Sequence, residues 1–322
     1  MSVLVYTESE QGQFKKTALE VASYAKGVAK MLGVSVTAVA FNAEDTSTLA
    51  TYGVDKVLNV KNDKLEKFNA EAYADALAQA AKKEDAKVII VSQSANAKYL
   101  APLLAVDLEA GYASNVVALP ENTSPVTVKR TAFTNKAFNI TEITTDRAII
   151  GVSKNAYGLH ETEASGTNED FIPELGSEDF TVNVESVDKA TDKVTIADAE
   201  VVVSGGRGLK GPENWGMIEE LADVLGAATA CSKPVSDMGW RPHSEHVGQT
   251  GKPVASNLYI AIGISGAIQH LAGINASKVK VVINTDPEAP FFKAADYGIV
   301  GDAFDVVPHQ REKLKAVKAQ NA

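Results

Sequence analysis

The chain carries a single cysteine, Cys231, among 322 residues. One thiol cannot close an internal disulfide, and such usage fits a reducing compartment. No apolar run approaches the ~20 residues that a membrane-spanning helix requires, so no membrane insertion is expected. A basic stripe is missing too: the net charge is −10, and repulsion from phosphates argues against a nucleic-acid partner. The opening Ser2-Val-Leu-Val-Tyr6 reads as a strand rather than as a basic leader, so a cytoplasmic location is expected. Proline and glycine are not in excess, and with 45% apolar residues a globular protein follows.

The length suits two domains, each with its own core. Residues 1–195 carry 19 Lys/Arg against 27 Asp/Glu, and residues 196–322 carry 12 against 14, so the acidic excess belongs to the first half. That half alternates strand-like residues 3–6, 35–41, 57–60 and 88–92 with helical spacing over 17–32 and 71–82. Further strands at 126–132, 138–144 and 148–152 change the texture to antiparallel or mixed. Residues 155–195 are polar and irregular, and 158–176 and 187–193 are the best candidates for a linker or an interdomain excursion. From residue 196 the alternation resumes, with strands expected at 200–204, 227–231, 258–264, 279–283 and 297–300. Helices are expected near 213–225, 266–271 and 309–317. The expected fold is α/β in two domains: 1–195, with mixed strands, and 196–322, a doubly wound, Rossmann-like parallel sheet.

The richest stretch is Val247-Gly-Gln-Thr-Gly-Lys252 followed, after a buried-strand pattern, by Ser265-Gly-Ala-Ile-Gln-His270. A strand that runs through Gly263, Ser265 and Gly266 into a helix leaves unpaired amides able to hold an anion or a phosphate. Gln249 and Thr250 add hydrogen-bonding groups, while Gly248 and Gly251 let the backbone approach a flat ligand. His270 can donate to, or charge-stabilise, a group that becomes anionic. This layout suits a nucleotide cofactor better than a substrate pocket.

All five late strands run into small or polar residues, including Arg207, Ser232-Lys233, Asn284 and Asp302. In open α/β sheets, ligands lie outside the carboxyl ends of the strands, so these groups are expected to converge. Gly206-Arg-Gly-Leu-Lys-Gly211 matches a dinucleotide fingerprint in form, but Ala230-Cys-Ser-Lys233 lacks the acid that such a fingerprint needs. The glycines still let the backbone and Arg207 approach a phosphate. His243-Ser-Glu-His246 lacks further ligands for a metal and reads as a solvated loop. Cys231 reads as an apolar filler, and no Ser-His-Asp arrangement can be assigned. A nicotinamide oxidoreductase and a nucleotide-binding module without redox function are the competing readings.

Together these residues resemble the electron-transfer flavoprotein alpha subunits. The resemblance is carried by Val203-Ser-Gly-Gly-Arg-Gly208, the Val247–Lys252 loop, the stretch from Tyr259 to Gly273, Ile283-Asn-Thr-Asp-Pro-Glu-Ala-Pro290 and Ala295-Asp-Tyr-Gly-Ile-Val300. It implies a heterodimer with a beta subunit and one FAD held by the second domain. It also implies an electron carrier rather than an enzyme, docking transiently to flavin dehydrogenases and a quinone oxidoreductase. By matched position, Arg207, Ser232, Lys233, Val247, Gly248, Gln249 and Thr250 would line the FAD. Ser265, Gly266, Ala267, Ile268, Gln269, His270, Asn284, Asp302 and Ala303 complete that set. The resemblance sets Thr250 at flavin N5, His270 near the N1/O2 edge, and Asn284 and Asp302 on the adenosine side. Lys233 departs from the arginine common in this family, keeping the charge but losing the planar stacking fork.

Overall fold

The structure is a computed structural model that describes residues 2–133, 135–162, 166–187, 195–196 and 199–321. Two compact units emerge: Met1–Ala132 with Ala137–Val187, and Phe133–Lys136 with Asp188–Ala322. The expected linker at 187–193 lies almost wholly outside the described residues.

In the first unit, the strands Ala148–Val152, Val88–Ser92, Ser2–Tyr6, Ser35–Phe41 and Lys56–Val60 lie side by side and parallel. Their Val/Ile-rich sequences suit burial on both faces. Val3 and Val5 join the core beneath helix Lys16–Leu32, and Leu4 and Tyr6 join the opposite core beneath Ala70–Lys83 and Ala95–Asp107. Gly111–Val116 extends the sheet in parallel, and Val126–Ala132 and Ala137–Ile143 add an antiparallel flank. The unit is therefore α/β with mixed strands. One expectation is corrected: residues 158–176 are not simply a linker, because Thr167–Asp170 pairs in parallel with Lys56–Val60 as an edge strand.

The second unit is a five-stranded, wholly parallel sheet of Val201–Gly205, Ala228–Cys231, Leu258–Ile262, Val279–Asn284 and Tyr297–Val300. Counted along the chain, their spatial order is second, first, third, fourth, fifth. Helices Gly216–Leu225 and Ala303–Asn321 cover one face, through Ile218, Leu221 and Val307. Ile268–Ile274 covers the other through Leu271 and Ile274. The sheet is doubly wound, and its order reverses between Val201–Gly205 and Leu258–Ile262. A crevice at the carboxyl ends of those two strands is where this topology places a ligand.

Candidate functional site

Four strands of the second unit end around one cleft of about 630 Å3, at Arg207, Ser232, Gly263 to Ser265 and Asn284. The walls can approach because the first and third strands end in glycines. The Gly206 amide donates to the Ile262 carbonyl at 2.9 Å, and that of Gly208 to Gly263 at 3.0 Å. A Cβ on Gly208 would stand 2.6 Å from the Gly263 Cα. Gly263 itself turns with φ at +64°, a conformation that favours glycine.

The Val247–Lys252 loop forms the opposite wall and is pinned from both sides. Val247 donates to the Cys231 carbonyl at 3.0 Å, and Gln249 to the Gln269 carbonyl at 2.7 Å. Gly273 faces Gly248 so closely that a Cβ there would lie 2.6 Å from the Gly248 Cα. Across the cleft, the amides of Ser265, Gly266, Ala267, Ile268 and Gln269 have no acceptor among the described residues. Free amides at the mouth of a helix hold phosphate or carboxylate oxygens well.

Residues 3–171 match the electron transfer flavoprotein domain, and residues 195–275 match the electron transfer flavoprotein FAD-binding domain. The electron transfer flavoprotein subunit alpha of Thermoanaerobacterium thermosaccharolyticum is 36% identical over 326 residues, covering 98% of each chain. That of Bacillus subtilis is 36% identical over 322 residues, covering 97% of each. Protein FixB of Clostridium saccharobutylicum is 32% identical over 324 residues, covering 98% of this chain and 96% of its own. The chain belongs to the electron-transfer flavoprotein alpha-subunit family. Its cofactor is FAD, and membership as an alpha subunit implies a heterodimer with a beta subunit.

The cleft of this alpha subunit fits such a cofactor. Its volume lies in the range of small-molecule sites, the amides of Ser265, Ala267 and Gln269 in its wall have no acceptor among the described residues, and the buried Nδ1 of His246 has no hydrogen-bond partner. Unpaired buried polar atoms are costly unless a ligand completes them. Arg207, exposed at the rim, has no ion pair among the described residues and is available to an anion. Lys233 stands at the start of helix Lys233–Asp237, 57% exposed and 3.4 Å from the Asp237 carboxylate.

His270 differs from its sequence reading in one respect. It is buried, its Nε2 shares a 3.0 Å hydrogen bond with the Tyr259 hydroxyl, and burial pushes its pKa down to about 4. The nearby His246 adds to that fall and the Val247 backbone opposes it. His270 is therefore a neutral imidazole at pH 7, with a ring nitrogen able to hydrogen-bond. Burial pushes the Cys231 thiol up to about 12, which removes it as a nucleophile.

Of the expected site residues, the cleft gathers Arg207, Ser232, Lys233, Val247, Gly248, Gln249, Thr250, Ser265, Ala267, Gln269, His270 and Asn284. Asn284 is set by its own amide, which donates to the Ile264 carbonyl at 3.0 Å. Four others lie outside the lining. Gly266 turns with φ at +85° against the Phe291 backbone, and Ile268 is exposed. Asp302 accepts from the Phe304 amide at 3.1 Å and from Lys210 at 3.3 Å, fixing the start of the last helix. Ala303 is buried in the core with Leu209 and Val307. Sequence reasoning missed Asp237 and His246 in the lining. His246 is buried, contrary to the solvated loop expected from its polar neighbours. Its position directly before the Val247 loop was the signal available. Among the described residues no cluster of His, Cys, Asp or Glu is arranged for a metal, and no helix is long and apolar enough to cross a membrane.

Proposed function

We propose that this chain holds one FAD in the cleft of its second domain, residues 196–322, and works as the alpha subunit of a cytoplasmic electron carrier. Bound FAD supplies the chemistry, accepting electrons from flavin dehydrogenases and releasing them to a quinone oxidoreductase or another acceptor. The convergence of twelve expected residues on one cleft at the reversal point of the sheet carries this reading.

The protein's part is binding and orientation. The amides of Ser265 to Gln269 hold the pyrophosphate, and Arg207 adds charge to it. Thr250 and Gln249 hydrogen-bond the flavin ring from the loop that Gln269 pins. His270, oriented by Tyr259, presents a neutral ring nitrogen to the carbonyl and nitrogen edge of the flavin. Lys233 places a positive charge beside the ring, moderated by Asp237. Asn284 meets the adenosine side. The beta subunit covers the cleft and excludes water.

The test is FAD titration of the isolated chain and of the chain with its beta subunit, followed by flavin fluorescence. Weak binding alone and tight binding in the heterodimer are expected. Full-affinity binding by the isolated chain, unchanged on adding the partner, contradicts the shared site.

A further inference from the structure

His246 belongs to no motif, yet it occupies the base of the Val247–Lys252 loop. Its backbone bridges to Cys231 in parallel and its carbonyl accepts from the Lys252 amide at 2.9 Å. The loop closes round its ring. A Cβ on Gly251 would stand 2.9 Å from the His246 Cγ, and one on Gly248 would stand 3.4 Å from its Nε2. Two glycines of the loop are therefore spaced for this imidazole as well as for a ligand. The ring is 1% exposed, it lines the cleft, and its Nδ1 has no hydrogen-bond partner.

We infer that His246 is a contact residue for the bound cofactor, hydrogen-bonding the flavin alongside His270. The inference rests on the FAD reading above. A purely structural histidine has its ring nitrogens paired within the protein, as Tyr259 pairs the Nε2 of His270. His246 has no such partner, and its near neighbours are poor candidates. His243 lies ring to ring at 5.2 Å, with no hydrogen bond between the two. A neutral imidazole carries one donor and one acceptor. The flavin ring edge alternates N–H and carbonyl groups, so either tautomer finds a complement there.

The titratable groups facing His246 come from three elements: His243 on the turn His243–Glu245, Lys233 and Asp237 on the helix Lys233–Asp237, and His270 on the helix Ile268–Ile274. Burial first, then His243 and Lys233, push the His246 pKa down, and Asp237 opposes them. The ring therefore meets the flavin uncharged at neutral pH.

The experiment uses the assembled heterodimer with its chain labelled at histidine, comparing the flavin-loaded complex with the same complex stripped of FAD. The ring 15N resonances of His246 are expected to move on removal of FAD. His246→Ala is expected to weaken FAD binding roughly tenfold, the scale of one lost hydrogen bond. His246→Gln, which keeps a donor and an acceptor, should recover most of that affinity. Unmoved His246 resonances, or an Ala variant within twofold of the parent, overturns the contact. A complex that purifies without flavin defeats the FAD reading itself, whereas a loaded complex with an unresponsive His246 defeats only this inference.

Discussion

Mild acid should weaken the second unit through His270. In the fold its pKa is about 4, whereas the ordinary value is 6.5, and burial is the main cause. As the pH falls below 6.5 the unfolded chain takes up the proton first, while the buried ring stays neutral. The stability held by the neutral ring is thus fully present above 6.5 and is lost progressively between 6.5 and 4. At about 1.4 kcal/mol per pH unit, that window corresponds to a loss of about 3 kcal/mol. Carboxylates also titrate in this range, so the informative quantity is a difference. The FAD-free complex and its His270→Gln variant, neutral at every pH, would be unfolded in urea from pH 7.5 to pH 4. The parent should lose about 3 kcal/mol more than the variant over that interval. An NMR titration of the His270 ring should place its midpoint near 4. A midpoint near 6.5, or parallel stability profiles for the two proteins, refutes the buried neutral imidazole.

Tyr259→Phe strands the Nε2 of His270 in the core, and urea unfolding at pH 7.5 should show a loss of about 1–3 kcal/mol. Gly208→Ala forces a Cβ against the Gly263 backbone and should cost about 1–3 kcal/mol in the same assay. Gly216→Ala, at a helical position with open space around it, should be neutral or stabilising by up to about 1 kcal/mol. Lys233 is 57% exposed and 3.4 Å from the Asp237 carboxylate, so Lys233→Ala should lower the flavin potential by at most about 40 mV in a redox titration, equivalent to about 1 kcal/mol for one electron. A much larger fall would mean that Lys233 stands in a drier place than its exposure indicates.

The strands of the second sheet were legible because each is a short Val/Ile/Ala run closed by a glycine or a polar residue, as at Leu258–Ile262 before Gly263. The sequence pattern places the last helix near 309–317, whereas it starts at Ala303 and carries Pro308 inside it. Its first turn is held by the Asp302 carboxylate, which accepts from the Phe304 amide and from Lys210. Gly111–Val116 and Thr167–Asp170 escaped notice because they are polar and only partly buried, and their strand character comes from pairing with neighbours rather than from local pattern. His246 was hidden for a related reason: Ser244 and Glu245 beside it mark a surface loop, whereas its own ring turns inward against Gly251. Periodicity reports the average environment of a segment. It does not report one side chain that departs from its neighbours.

The central claim, that the second-unit cleft holds the FAD, is tested most directly by hydrogen–deuterium exchange on the heterodimer with and without FAD. The amides of Ser265 to Gln269 have no acceptor among the described residues and should exchange rapidly in the stripped complex. FAD should slow them sharply, together with the Gly248 to Thr250 loop, and should leave helix Lys16–Leu32 of the first unit unchanged. Exchange at Ser265 to Gln269 that is indifferent to FAD, with protection appearing only in the first unit or in the beta subunit, would contradict the account.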